Sequence, residues 1–332
     1  MSEQQKAEAP IKSRIGGQAL IEGVMMRGLD KSAMAVRKPD GEIDVSVSPL
    51  NVSKPMRIIG KIPIVRGVFN FVQSIALGYR YLGKSAEISG LEEEEGEPSK
   101  FERWLDRVFG DHLMKAITAA GMVLGVAACI LLFVLLPSLI VKGLDTLFPL
   151  YGFKSLIEGV LKMGIFIGYL ALVTRMKEIH RVFQYHGAEH KTIFCYENGL
   201  PLTVENVRKQ IRFHPRCGTS FMILMLIISI LVSSVVTWDS LWLRTVLKIA
   251  SLPLVMGVGY ELIKLAGRYD NLFTRIISWP GLMLQRLTTF EPDDDQIEVA
   301  IASMEPVIPE NRFDRNRSQA LLQVRRYFQI QK

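Results

Sequence analysis

AITAAGMVLGVAACILLFVLLPSLIV, residues 116–141, carries no charged side chain from end to end. A helix crossing a hydrocarbon core needs about 20 predominantly apolar residues, so this stretch reads as a membrane span, with Cys129 a small hydrophobe packed within it. Working outward finds three more. Residues 155–174 carry Glu158 and Lys162 in their first turns, spaced i,i+4 in the order that favours pairing. Residues 220–238 are uncharged and close on Trp238, and residues 243–266 carry Lys248 near the start and Glu261 near the end. The expected fold is a mainly α-helical polytopic membrane protein with about four transmembrane helices.

Basic residues set the orientation. The segment between the second and third spans holds Arg175, Lys177, Arg181, Lys191, Arg208, Lys209, Arg212 and Arg216, whereas connectors 142–154 and 239–243 are short and poor in lysine and arginine. The positive-inside rule then puts this loop and both termini in the cytoplasm. The formal charge of +7 gathers beside the apolar runs, where it can meet anionic lipid or nucleic acid. Three cysteines do not suggest a disulfide framework. The polar start, Met1 to Pro10, does not read as a cleavable signal, so the first span is expected to act as its own insertion signal.

The remaining chain divides into shorter pieces. Residues 1–14 read as a disordered tail and 15–55 as a small β-rich cytoplasmic domain. Within the latter, Ala33–Arg37 and Glu42–Val47 flank the turn Lys38-Pro39-Asp40-Gly41, a hairpin pattern. Residues 56–88 are apolar with basic edges, too short of uncharged length to span, and read as an interfacial amphipathic segment or a soluble core helix. Residues 89–100 form an acidic linker, and 101–266 the four-helix membrane domain around a motif loop at 175–219. Residues 267–305 supply interfacial and cytoplasmic helices, and 306–332 a basic tail.

Chemistry concentrates in the motif loop. On a helix, His186 and His190 share a face, with Glu189 beside them, in the H-x-x-E-H order of inverted zinc peptidases. Two imidazoles one turn apart can hold one metal ion, and the carboxylate can act as general base on its water. Gly187 weakens such a helix by about 1 kcal/mol. His214-Pro215-Arg216-Cys217-Gly218 adds an imidazole and a thiol, so three of the five histidines fall within the 32 residues 186–217. Glu261 is an acid at a depth where acids are costly and can meet the cluster or pair with Lys264 or Arg268. The candidate metal ligands are therefore His186, His190, His214, Cys217 and Glu261, the candidate base is Glu189, and a divalent metal, zinc first, is the implied cofactor. Four ligands would make a closed structural site, three an open catalytic one. The competing reading makes the histidines a hydrogen-bonded polar face and Pro215-Arg216-Cys217-Gly218 a turn. Glu22, set among glycines, bridges backbone amides or has a catalytic role.

These motifs carry a resemblance. Gly16–Gly28, Val36–Gly41, His186-Gly187-Ala188-Glu189-His190-Lys191 and His214–Ser220 together resemble the YqhQ-like family of uncharacterised bacterial integral membrane proteins, over about residues 15–300. Members are commonly labelled predicted metal-dependent enzymes. The resemblance implies a bacterial cytoplasmic-membrane location.

Three functions fit. One is a metal-dependent hydrolase acting on a peptide or lipid-linked substrate at the cytoplasmic interface. The second is a non-enzymatic factor whose basic loop and tail dock a ribosome or the protein-insertion machinery. The third is a transporter component, with Gly257 and Gly259 allowing close packing in a homo-oligomer. No feature points to sequence-specific DNA binding.

Overall fold

A computed structural model of the chain describes residues 13–50, 62–90, 111–235, 241–269 and 271–309. The tail at 1–12, nearly all of the acidic linker, Trp238 and the arginine-rich end from 310 lie outside the described residues.

The N-terminal segment is a four-stranded antiparallel meander: β1 (Gly16–Leu20), β2 (Gly23–Arg27), β3 (Lys31–Arg37) and β4 (Ile43–Pro49), in that spatial order. The expected hairpin is β3–β4, with Arg37 opposite Ile43, closed by Gly41 at φ +89°. That backbone sign is what a glycine supplies without a steric penalty. The glycine-punctuated stretch before it is a second hairpin, β1–β2, and Glu22 in its tight turn takes φ +48°.

Helix α1 (Val65–Ile88) follows. Then comes one long helical rod: α2 (Asp111–Ile130), a π-helical turn (Leu131–Leu135) and α3 (Leu136–Leu147). Pro137 sits in the first turn of α3; it lacks an N–H, and the widened turn before it accommodates the missing bond. After α4 (Lys154–Val173), the motif loop proves to be helical, with α5 (Lys177–Glu197) and the short α6 (Val204–Arg208). Then follow α7 (Gly218–Val235), α8 (Leu241–Ala250), α9 (Leu252–Arg268), α10 (Leu272–Thr288) and α11 (Asp294–Met304).

Three helical stretches, Ala120–Leu147, Lys154–Val173 and Thr245–Leu265, are long and apolar enough to cross a bilayer. The third expected span, residues 220–238, corresponds to α7, whose apolar stretch Gly218–Val232 falls short of that length among the described residues. Cys129 departs from expectation: it is exposed on the surface of its helix. Glu158 is buried and reaches out of its own helix, accepting from Ser138 Oγ at 2.8 Å and pairing with Lys248. These contacts tie α3, α4 and α8 together at a polar point within otherwise apolar surfaces. Gly257 and Gly259 serve packing inside the chain, against Ile64 and against Phe221 and Met225.

Three segments distant in sequence share one core. Val24, Met26, Ala33 and Ala35 of the sheet pack with Tyr185, Ala188 and Ile193 of α5 and with Ile297, Ala300 and Met304 of α11. The sheet is thus closed on one face by helices from the middle and the end of the chain. Gly187 permits this closure, because a Cβ there would lie 2.0 Å from the Phe290 carbonyl oxygen. The helix propensity lost at Gly187, about 1 kcal/mol, is the cost of that approach. Gly187→Ala should therefore destabilise the protein despite its better helix propensity, by roughly 1–3 kcal/mol from overpacking. Denaturant unfolding monitored by tryptophan fluorescence tests this; an unchanged or raised midpoint would show that the Phe290 backbone can retreat.

Candidate metal centre

Helix α5 is polar in composition, yet Tyr185 through Ile193 are all buried. Its placement makes the question of where each polar atom finds a partner unavoidable, since an unpaired buried group costs about 1–3 kcal/mol. His186 Nδ1 lies 2.7 Å from the Thr288 carbonyl oxygen, at the end of α10. The last carbonyls of a helix have no intrahelical donor, so this one is free to receive a ring N–H. His190 Nδ1 lies 2.6 Å from the Arg212 carbonyl oxygen. A carbonyl only accepts, so both rings carry a proton on Nδ1, which leaves the Nε2 atoms as the possible ligand atoms. Outer-shell carbonyls hold metal-binding histidines in this same way.

Cys217 completes the group. The His186 Nε2 lies 3.1 Å from its Sγ, and ligand atoms of His186, His190 and Cys217 all fall within 4.8 Å of one another. The thiol sits at the start of α7, where the Thr219 amide and hydroxyl lie 3.4 and 3.2 Å from the sulfur. Burial pushes a thiol up, but here His190 and the Thr219 donors outweigh it and hold Cys217 below its ordinary value. Thiolate character at a helix N-terminus follows from the aligned amides.

The unpaired atoms are the informative ones. His190 Nε2 and Glu189 Oε2 are both buried with no hydrogen-bond partner among the described residues. Both residues line one cavity of about 290 Å³, together with Cys217, His214, Gly16 and Gly17. Burial drives the Glu189 carboxyl up to about 8, and burial, with the His186 ring close by, pushes His190 down. Two imidazole lone pairs, a softened thiol and a carboxyl lacking a counter-charge fit a divalent transition ion by donor chemistry, zinc among them. Glu189 is held in place by Gly17, whose amide donates to its carboxyl; a Cβ at Gly17 would lie 2.7 Å from Glu189 Cδ.

The other sequence-derived candidates are placed differently. The His214 ring stands 5.5 Å from that of His190. Its Nδ1 accepts from the Arg216 amide at 3.3 Å, however, and its Nε2 faces the Glu197 carboxylate at 3.9 Å. Glu261 is engaged elsewhere, accepting both an Nε–H and an Nη–H of Arg66, the former at 2.6 Å. The side chain of Arg268 lies outside the described residues, and the hydrogen-bonded partner is not Lys264 but Arg66, 195 positions away and beyond the reach of any local pattern. Glu22 pairs with Arg181 and accepts from Tyr185 Oη at 3.1 Å, which ties the β1–β2 turn to α5.

Sequence reasoning missed several supports. Fully buried Gln285 clamps the motif turn, accepting from the His214 amide at 2.7 Å and donating to its carbonyl at 2.8 Å. Glu197 accepts from the amide and hydroxyl of Ser13, each at 2.7 Å, and pairs with Arg216. Nothing local marks these residues. The paired glycines 16 and 17 were the one available signal of a close approach.

The fold and the site together define a class: a helical protein with three helices suited to crossing a bilayer, joined to a sheet-and-helix module that encloses a His–His–Cys group. Residues 62–310 match the family described as "Protein of unknown function (DUF1385)", and the chain belongs to that family. It is also 37% identical over 294 residues to "Uncharacterized protein YqhQ" of Bacillus subtilis (strain 168), covering 88% of this chain and 92% of that protein. The resemblance seen in the sequence motifs is thereby established. No solved structure gives a significant match.

Two measurements follow. Elemental analysis of the purified protein should find close to one zinc or comparable divalent ion per chain. A His186→Ala/His190→Ala variant that elutes as wild type on gel filtration should hold none; equal metal in both would remove the site. The second concerns Glu197, whose carboxyl is opposed by burial but held down to about 2 by His214, Ser13 and Arg216. The folded value lies below the unfolded one, so its contribution is complete above about pH 4.5 and fades as pH falls toward 2. Glu197→Gln should lose roughly 2–3 kcal/mol near neutrality and show a shallower acid limb in denaturant titrations at several pH values.

Proposed function

We propose that this is a multi-pass cytoplasmic-membrane protein whose His186, His190 and Cys217 hold a divalent metal, most simply zinc, for hydrolysis at the cytoplasmic face. Support for the membrane comes from surface chemistry. The candidate spans leave Met122, Val123, Leu124, Val160 and Leu172 exposed, and apolar surface of that extent needs lipid to cover it. Helix α1 exposes Val65, Val72, Ile75 and Tyr79 along one side, and α10 exposes Leu272, Phe273, Ile276 and Trp279. Such one-sided helices lie in the plane of an interface. Short connectors on one side and the basic motif segment on the other support a cytoplasmic position for α5, the sheet and both termini, with α7 as the third of four crossings.

The observation that carries the catalytic part is the pair of unpartnered buried atoms, His190 Nε2 and Glu189 Oε2, on one cavity wall. Three converging ligands rather than four is the pattern of a site that keeps a position open, and His214 is already occupied by Glu197 and Arg216. A bound ion supplies Lewis acidity toward a carbonyl or phosphoryl group and acidifies water. Glu189, buried beside the ligands, takes the proton from the attacking water. Burial alone raises the Glu189 carboxyl to about 8; with a cation held by the adjacent ligands it would lie lower, toward the ionised form a base requires. The Thr288 and Arg212 carbonyls keep both imidazoles in the Nδ1–H tautomer. His214 and Arg216 form the polar wall of the same cavity.

Docking of a large acidic partner finds less support. Arg208 is paired with Asp294, Lys209 with Glu205, Lys191 and Arg212 with Glu291, and Arg216 with Glu197. These five cations of the motif segment are thus matched by acids of the same chain.

The deciding variant is Glu189→Gln. It should keep the metal and lose hydrolysis of short peptides and of p-nitrophenyl esters and phosphoesters by about 10²–10⁴-fold. A Gln variant that retains the wild-type rate would exclude Glu189 as the base.

A further inference from the structure

Helix α10 meets the metal centre at two points, and both lie on one stripe of it. Gly281, Gln285 and Thr288 are spaced four and three residues apart, so they share a face, and all three are buried. The exposed Leu272, Ile276 and Trp279 fall on the opposite side. At the end of the buried stripe the Thr288 carbonyl receives the His186 Nδ1–H at 2.7 Å. One turn earlier, Gln285 reaches the segment that carries Cys217.

That segment is a tight turn. The Cys217 amide donates to the His214 carbonyl at 3.2 Å, and the Ser220 amide donates to the Cys217 carbonyl at 3.1 Å as α7 begins. Gln285 grips the turn on both sides of the thiol. Its Oε1 accepts from the His214 amide at 2.7 Å, and its Nε2 donates to the His214 carbonyl at 2.8 Å and to Ser220 Oγ at 3.1 Å. A side-chain amide has two N–H donors, and both are spent here, on residues three before and three after Cys217. Gly281 allows α10 to come this close, because a Cβ there would lie 2.4 Å from Ser220 Cβ. Gln285 is fully buried, so water does not compete for these bonds.

We infer that Gln285 is a positioning residue of the metal centre. By fixing both flanks of Cys217 it sets the sulfur against His186, whose Nε2 lies 3.1 Å away, while the Thr288 carbonyl on the same stripe sets His186 itself. One face of α10 is thus the template for two of the three ligands. The inference rests on the metal reading for its effect on an ion, but the placement of the thiol does not need one.

The test uses the full chain in mild detergent and compares Gln285→Met with wild type and with Gln296→Met. Methionine keeps the length of glutamine and removes its hydrogen bonds. Gln296 is also buried, but it bonds to the Asp293 amide and to Gln184, so its variant reports the general cost of losing a buried amide. Cobalt(II) is titrated into chelator-treated protein, because a thiolate ligand adds a sulfur-to-cobalt charge-transfer absorption that imidazole does not. Gln285→Met should bind cobalt about 10–100-fold more weakly, the usual effect of losing an outer-shell partner, and show less of that absorption per bound ion. Gln296→Met should change neither, and wild-type affinity and absorption in Gln285→Met overturn the inference. Ser220→Ala removes one arm of the grip and should shift both readouts the same way by less, which keeps the test alive should Gln285→Met fail to fold. A second measurement follows alkylation of Cys217 by iodoacetamide in metal-free protein bearing Cys129→Ala and Cys195→Ala. Gln285→Met should react several-fold faster than Gln296→Met; equal rates overturn the placement. Separate alkylation rates in a protein whose wild type binds no cobalt would sink the metal reading and leave the placement of Cys217 by Gln285 standing.

Discussion

The burial of a polar helix governs this structure. Helix α5 carries His186, Glu189, His190 and Lys191 into an interior, where each polar atom must be paired or cost stability. Much of the rest of the fold meets that demand. The end of α10 offers the Thr288 carbonyl, the motif turn offers the Arg212 carbonyl, and β1 offers the Gly17 amide. Lys191 reaches the Arg208 carbonyl and Glu291. Of the α5 groups, His190 Nε2 and Glu189 Oε2 stay without a hydrogen-bond partner, and both residues line one cavity, which is the kind of exception that calls for an explanation.

The same demand explains why the sheet stands where it does. A four-stranded meander of this size buries too little apolar surface to be stable alone. It covers α5 on one side and is completed by α11, and each part supplies the core the others lack. Gly17 and Gly187 are the points of closest approach, one against Glu189 and the other against the Phe290 backbone. Neither position tolerates a side chain without displacing a group that shapes the site.

A parallel constraint operates among the apolar helices. Ser138, Glu158 and Lys248 meet between α3, α4 and α8, satisfying one another where water is scarce. Arg66 and Glu261 make a similar bond between α1 and α9. Each pair joins segments far apart in sequence, so each fixes the relative position of helices that apolar contact alone leaves free to slide.

The sequence by itself determined most of the elements and the side chains that could hold a metal. Charge-free length marks the apolar helices, Pro-Asp-Gly marks the β3–β4 turn, and the i,i+4 histidines share a face on any helix, because those signals are local. It also brought the 214–218 motif into consideration, since histidine and cysteine are rare in this chain. Tertiary structure decided which of those residues meet. Cys217 joins His186 and His190, whereas His214 turns to Glu197 and Glu261 to Arg66. The carbonyls that hold the histidine rings and the Gln285 clamp likewise come from contacts across long stretches of chain. Spacing along a sequence reports what one helix or turn can do. Coordination and charge pairing depend on distances between elements, and those are set only when the elements pack.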